Sequence, residues 1–372
     1  KTYLYNIIDN KNYSLSRIDN EIEKHLKNNY KYRNICFLLS GGLDSRLLLL
    51  KYLSLKRNKN LRLFNYGTGK DRDSKIAKEI SNKIDIPLNF YKIKPIDFIN
   101  YMNKLTLFTG GATSIFESRG YKLVNYLDSK DIIINGFGLD VTFGGGAHKK
   151  ELLKNNSLFF LKNFMYNKFM KINSNKLCSL LNVKESQLKS MITPIFDNQL
   201  KNISKKGTLA LKLDKILLNS KVIYYGYWGV YNFSQKTKVI TPLFNKDINY
   251  FFLSIDSNQR YKHNIYKKYF IKYFPDFSKI CWQKTGCDLY GNEIKKYNIK
   301  EVSRRIPYEN ILAKSLKRKI FNILLSKNSL IKNYLNEKII KEIINMKKQD
   351  HTWSDFVGML VTIEILLQKN NR

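Results

Sequence analysis

Acidic residues are scarce in this 372-residue chain: 30 Asp and Glu stand against 66 Lys and Arg, a formal charge of +36 at pH 7. Such an imbalance invites a nucleic-acid reading. Arginine is scarce as well, with 12 residues beside 54 lysines. A phosphate-reading surface usually draws on Arg for its bidentate fork. The lysines come with abundant Asn, Ile and Tyr along the whole chain, which marks a compositional bias and not one binding face. No dedicated nucleic-acid surface is expected, only non-specific attraction to polyanions.

Other absences narrow the field further. The four cysteines, Cys36, Cys178, Cys281 and Cys287, show no CxxC spacing and no paired His ligands. That argues against a zinc site or a disulfide framework, and Cys36, inside an apolar run, reads as core. His25, His148, His263 and His351 are scattered, and none falls in a nucleophile–base arrangement. GxSxG, HExxH and Cys/His pairs are missing, so hydrolytic and metal-catalysed chemistry find no support. No apolar run reaches the roughly 18 residues that span a bilayer. The opening KTYLYNIIDN lacks a basic-then-apolar signal pattern, so the cytoplasm is the expected compartment, with no membrane partner. The first residue is Lys and not Met, which leaves room for an upstream segment. Six prolines and no Pro- or Ser-rich linker mark no clear boundary, and no repeats are visible.

What is present is a 43% hydrophobic chain, able to bury one large core or two moderate ones. ICFLL (35–39), LRLFNY (61–66), LNFYKI (88–93) and DIIINGF (131–137) are short, apolar and strand-like. Between them, SRLLLLKYLSLK and SKIAKEISNKI carry apolar residues at helical spacing. The alternation predicts an α/β fold, a parallel sheet with crossover helices. Residues 1–30 read as an amphipathic helical lead-in, 31–150 as the α/β core, and 151–372 as a mostly helical half packed on the sheet. After about residue 150 the strand signal fades; ELLKNNSLFFLKNFMYNKFM, LALKLDKILLNSKVIYYGYW, KKYFIKYF and most of 310–370 read as helices.

The first strand runs straight into Ser40-Gly41-Gly42-Leu43-Asp44-Ser45 and then a helix. A strand, a Gly-rich turn and a helix bring free backbone N–H groups to a positive helix terminus, which is an anion site. The glycines allow close backbone approach. Ser40 and Ser45 add hydroxyls, and Asp44 can hold a magnesium ion that screens phosphates. The lysine that ends a Walker loop is missing, so γ-phosphate transfer is not implied. Asp140 is an acid in a Gly-rich turn after a strand, at the carboxyl edge where open sheets bind ligands. GTGKDRD (67–73) reads as a solvated turn before a helix, and TGGATS (109–114) as a loop near the site.

SGGLDS resembles the pyrophosphate loop of the PP-loop ATP pyrophosphatases. Within them the chain is similar to the synthetase domain of asparagine synthetase. NGFGLDVTFGG (135–145) follows that family's GxGxDxxFGG pattern at Gly136, Gly138, Asp140, Phe143, Gly144 and Gly145. TPLFNKDI, FPDFSKICWQKTG and WSDFVGMLVTIEILL resemble its later segments, so the resemblance covers about residues 30–370. It implies an ATP-dependent ligase, with ATP and Mg2+, that adenylates a small-molecule carboxylate for attack by ammonia or an amine. The resemblance assigns Ser40, Gly41, Gly42, Leu43, Asp44 and Ser45 to the β- and γ-phosphates and Asp44 and Asp140 to magnesium. Tyr66 and Gly67 fall near adenine, and Gly136 and Gly138 shape the second turn. Lys284 matches a lysine that neutralises the α-phosphorus and the leaving pyrophosphate. A second family lysine falls near Lys262 or His263, of which Lys262 is taken as catalytic.

Two departures qualify the resemblance. The family's acid/base positions are occupied here by Phe137 and Lys238, and Phe137 cannot move a proton, a function typically worth about 10²–10⁴-fold. The glutaminase that supplies ammonia in asparagine synthetases is not in these residues, so an upstream or separate glutaminase, free ammonia or an amine substrate is implied. The rivals are a related amide-forming enzyme on a peptide, sugar acid or small metabolite, an RNA-modifying PP-loop enzyme, and a non-catalytic nucleotide-binding relative.

Overall fold

A computed structural model describes residues 7–27, 34–55, 61–169, 172–201, 203, 206–299, 311–346 and 351–371. Among these residues five strands form one parallel sheet in the order β3-β2-β1-β4-β5. They are β1 (Ile35–Leu38), β2 (Leu61–Gly67), β3 (Leu88–Lys92), β4 (Ile132–Ile134) and β5 (Lys238–Ile240). The first four match the apolar runs of the sequence. β5 does not: it lies in the half expected to be helical, and three residues, with Lys238 exposed, are too short to show alternation.

β1 is covered on both sides, which is why it reads as an unbroken apolar run. Ile35 and Phe37 face a large cluster with Leu47, Ile76 and Phe252, whereas Cys36 faces a smaller one with Phe64, Ile133 and Phe233. Burial pushes the Cys36 thiol up to about 12, consistent with an inert core residue. Helix α1 (Leu15–Lys27) buries Ile18, Ile22 and Leu26 at a spacing of four on the same large cluster. Residues 7–14 before it are not helical, unlike the lead-in reading; Lys11 instead forms an isolated bridge to Ile255, and residues 1–6 lie outside the described residues.

Helix α2 (Leu43–Leu55) follows the Gly-rich turn and buries Leu47, Leu48 and Leu49 completely. Each such side chain contributes roughly 1.5–3 kcal/mol relative to exposure. Helix α3 (Arg72–Lys83) begins at Asp71, whose carboxylate accepts the Ser74 N–H at 2.9 Å. Helix α4 (Pro95–Thr109) crosses from β3 toward β4, and Gly110 closes it in a left-handed turn. The second half is mainly helical, as the sequence predicts. The helix Leu209–Leu217 runs into a π-helical turn, Leu218–Gly226, and the helix His351–Asn370 packs on a separate apolar cluster through Trp353, Val357 and Val361.

Candidate active site

Parallel strands leave their carboxyl ends on one edge, and the sheet order reverses direction between β1 and β4. Ligands of open α/β sheets bind at that point. The loop 40–45 leaves β1 there, and the turn 136–146 leaves β4 beside it.

The first loop is bonded to itself. The Ser40 and Ser45 hydroxyls are 2.8 Å apart, Ser45 Oγ accepts the Ser40 N–H at 3.0 Å, and Ser40 Oγ accepts the Gly42 N–H at 3.2 Å. Gly41 N–H goes to Asp73 Oδ1 at 3.0 Å. The N–H groups of 40–42 therefore already have partners, against the expectation of free donors throughout the loop. Leu43, Asp44 and Ser45 form the first turn of α2, where a helix terminus is positive. Asp73 belongs to the stretch read as a solvated turn; it is half-buried and also accepts from Asn65 at 3.4 Å. Its signal was one acid among the polar residues of GTGKDRD, and nothing local distinguishes it.

The second turn presses against the first. A Cβ on Gly136 would lie 2.4 Å from the Asp44 carbonyl oxygen, so only glycine lets β4 exit this close to α2. Gly138 has φ +99°, a left-handed backbone that starts the short helix Leu139–Thr142 carrying Asp140. The Asp140 N–H donates to Asp44 Oδ2 at 3.1 Å, and Tyr266 donates its hydroxyl to Asp44 Oδ1 at 3.1 Å. Asp140 Oδ1 accepts from His263 Nε2 at 2.6 Å, and Lys284 Nζ stands 3.4 Å from both Asp140 Oδ1 and His263 Nε2.

The two carboxylates are held apart in acidity. Burial, reinforced by the neighbouring Asp140 charge, pushes Asp44 up to about 7. Burial pushes Asp140 upward too, but the His263 hydrogen bond and the Lys284 charge outweigh it and hold it at about 2. Burial lowers the pKa of His263 against the opposing pull of Asp140.

Remote segments hold these groups in place. Lys284 sits in a loop whose Gln283 N–H donates to Gly41 O at 3.2 Å, while Arg72 donates to Gln283 O at 3.3 Å. Its ammonium also lies 5.6 Å from the Trp282 ring centroid. Lys262 and His263 are consecutive non-glycine residues with φ of +54° and +61°, a strained kink before the helix Asn264–Tyr273. Behind it, fully buried Arg260 donates to Asp214 Oδ2 at 2.6 Å and to Thr142 O at 3.2 Å. His148 Nε2 reaches the same Asp214 oxygen at 2.7 Å.

Of the residues singled out in the sequence, Ser40, Asp44, Ser45, Gly136, Gly138, Asp140 and Lys284 come together. Lys262 does not join them: it is exposed and lies 5.4 Å from the Tyr261 ring, while His263 turns inward to Asp140. The histidines, read as scattered, thus include one at the centre of the site. Tyr66 and Gly67 end β2, and Tyr66 packs against Gly120. Lys238 opens β5 opposite Ile132, at the amino ends of the strands and so on the other edge from Asp140. TGGATS packs on the C-terminal helix, with Thr362 donating to Thr113 O at 3.4 Å.

The donor set fits magnesium with a nucleotide phosphate. Among the described residues no cluster of three or more His, Cys, Asp or Glu could hold a metal alone. Magnesium, however, is ordinarily held by one or two carboxylates plus substrate phosphates. Asp44 and Asp140 meet that need beside two serine hydroxyls and a helix N-terminus.

Fold and site together define an α/β protein with a Gly-rich loop at the switch point of a parallel sheet. A family model described as asparagine synthase matches residues 21–367, and the chain belongs to the asparagine synthase family. Membership carries ligase and ATP-binding character at the level of that family. No curated protein matches the chain significantly. Among the described residues no helix is long and apolar enough to cross a membrane.

Proposed function

We propose that this protein is an AMP- and pyrophosphate-forming amide ligase. ATP and a carboxylate are its substrates, and ammonia or an amine is the nucleophile. The observation that carries this reading is the convergence of Asp44, Asp140 and Lys284 on one point beside the 40–45 loop. In the reaction a carboxylate oxygen attacks the α-phosphorus and the bond to pyrophosphate breaks. Nitrogen then attacks the activated carbonyl, AMP leaves, and the nitrogen loses a proton.

The 40–45 loop and the N-terminus of α2 would receive the departing pyrophosphate. Magnesium bound by Asp44 and Asp140 would neutralise phosphate charge. Lys284, fixed by Gln283 and Trp282, would face the charge that grows on the α-phosphoryl oxygens and would stabilise the transition state more than the ground state. His263 holds Asp140 in orientation. Tyr66 and Gly67 lie on the β2 side, where adenine would rest. Nitrogen would come as free ammonia, as an amine, or from a glutaminase upstream or separate.

The test uses magnesium ATP with a panel of carboxylates and ammonium, followed by chromatography of the nucleotides. AMP and pyrophosphate in equal amounts, dependent on a carboxylate and abolished by Asp44→Asn, are expected. ADP in place of AMP, or failure to bind magnesium ATP in calorimetry, would refute the reading.

A further inference from the structure

The strand order separates the two flanks of the phosphate loop. Tyr66 and Gly67 end β2 on one side; on the other, Phe137 follows β4 and Phe244 follows β5. The rings of Phe137 and Phe244 meet edge-on at 5.5 Å, and Phe137 lies 5.7 Å from Tyr227. Tyr227 stacks on Tyr231 at 5.4 Å, and Tyr231 on Phe108 at 6.1 Å. Phe137, Tyr227, Phe244 and Phe108 are half-buried and Tyr231 is 38% exposed. A wall of aromatic rings therefore begins three residues from Asp140 and runs outward. The π-helical turn Leu218–Gly226 delivers the chain to Tyr227, and such turns recur at functional sites.

Resting on the ligase reading above, we propose that this wall binds the body of the carboxylate substrate, and that the substrate carries an aromatic or bulky apolar group. Charge complementarity sets the other end. The side chain of Lys284, 35% exposed and 3.4 Å from Asp140 Oδ1, marks the reacting end of the site. A small amino diacid such as aspartate would need cations and donors for its second carboxylate and its ammonium. The wall presents ring faces and the Tyr227 phenol instead. Phe137, which cannot serve in proton transfer, is accounted for as a specificity-determining contact.

The experiment incubates the full chain with magnesium ATP and hydroxylamine, a neutral trapping nucleophile, and one of three carboxylates: aspartate, acetate or 3-phenylpropanoate. AMP and hydroxamate are measured, and magnesium-ATP binding is followed in parallel by calorimetry. 3-Phenylpropanoate should exceed aspartate and acetate by about tenfold or more, within the 10- to 200-fold that apolar contacts confer. Phe137→Ala and Phe244→Ala should each remove most of that preference, whereas Tyr227→Phe, which keeps the ring, should retain it. Preference for aspartate, no hydroxamate from 3-phenylpropanoate while ATP is bound, or a preference unchanged in a Phe137→Ala protein that melts like the parent would each overturn the inference alone. Absence of ATP binding would bring down the ligase reading with it.

Discussion

The two loops that meet at the carboxyl edge of the sheet are held in opposite ways. Residues 40–45 are bonded mainly to one another and to α3, through Ser40, Ser45 and Asp73. Residues 136–146 are held from far along the chain, by Arg260 through Thr142, by His263 and Lys284 through Asp140. A loop of the first kind forms wherever its strand and helix pack. The second kind requires that two distant segments, around 260–263 and at 284, be in place. The contrast teaches that the first loop is fixed mainly by its sequence neighbours and the second mainly by distant segments, the two meeting where the Asp140 N–H donates to Asp44.

The sharpest break is at Arg260. Substitution by Met removes the guanidinium from buried Asp214 and leaves it only His148, and removing one partner of a buried pair costs about 3–5 kcal/mol. Urea denaturation should show that loss, and Asp214→Asn in the same chain should restore part of it. If the loss is under about 1 kcal/mol, the second loop does not depend on this clamp.

Lys284→Ala tests function without the scaffold. Because the side chain is only partly covered, the melting temperature should hold while AMP formation falls about 10²–10³-fold, the usual effect of removing a charge-stabilising group. An equal fall in magnesium-ATP affinity would mean that Lys284 binds the ground state instead. Gly136→Ala presses the loops apart at their contact with Asp44, and overpacking of this kind costs about 1–3 kcal/mol. The measurement is thermal unfolding, and a neutral result would refute the close approach.

The mildest test is pH, and the two loops should answer it with opposite sign. The Asp44 carboxyl, raised to about 7, contributes stability at low pH that is lost as pH rises through 7 in metal-free protein. The Asp140 carboxyl, held at about 2, contributes stability above its ordinary range that is lost as pH falls toward 2. Melting temperature followed from pH 5 to 8 should drop by a few degrees, and Asp44→Asn should flatten that slope. A slope that persists in the variant would move the effect to another group.

Legibility follows the same division. The strands 35–38 and 61–67, the turn between β1 and α2, and the acid at 140 each sit within a few residues of their own apolar run or glycines, which are local signals. β5 has three residues and no alternation to show. The π-turn at 218–226 reads like any helix, since its wider bonding leaves the apolar spacing nearly unchanged. Lys262 and His263 were equivalent by position alone. Two left-handed residues decide between them, and backbone handedness at non-glycine residues leaves no mark in composition.

By itself the sequence determined the parallel α/β core and the place of the Gly-rich loop after β1, because strand, turn and helix succeed one another within a few residues. Only the tertiary structure decided that His263 and not Lys262 meets Asp140, that Asp73 secures Gly41, and that Phe137 joins Tyr227 and Phe244. Those contacts join segments dozens to more than a hundred residues apart. They exist only once the sheet is assembled and its carboxyl edge has gathered them.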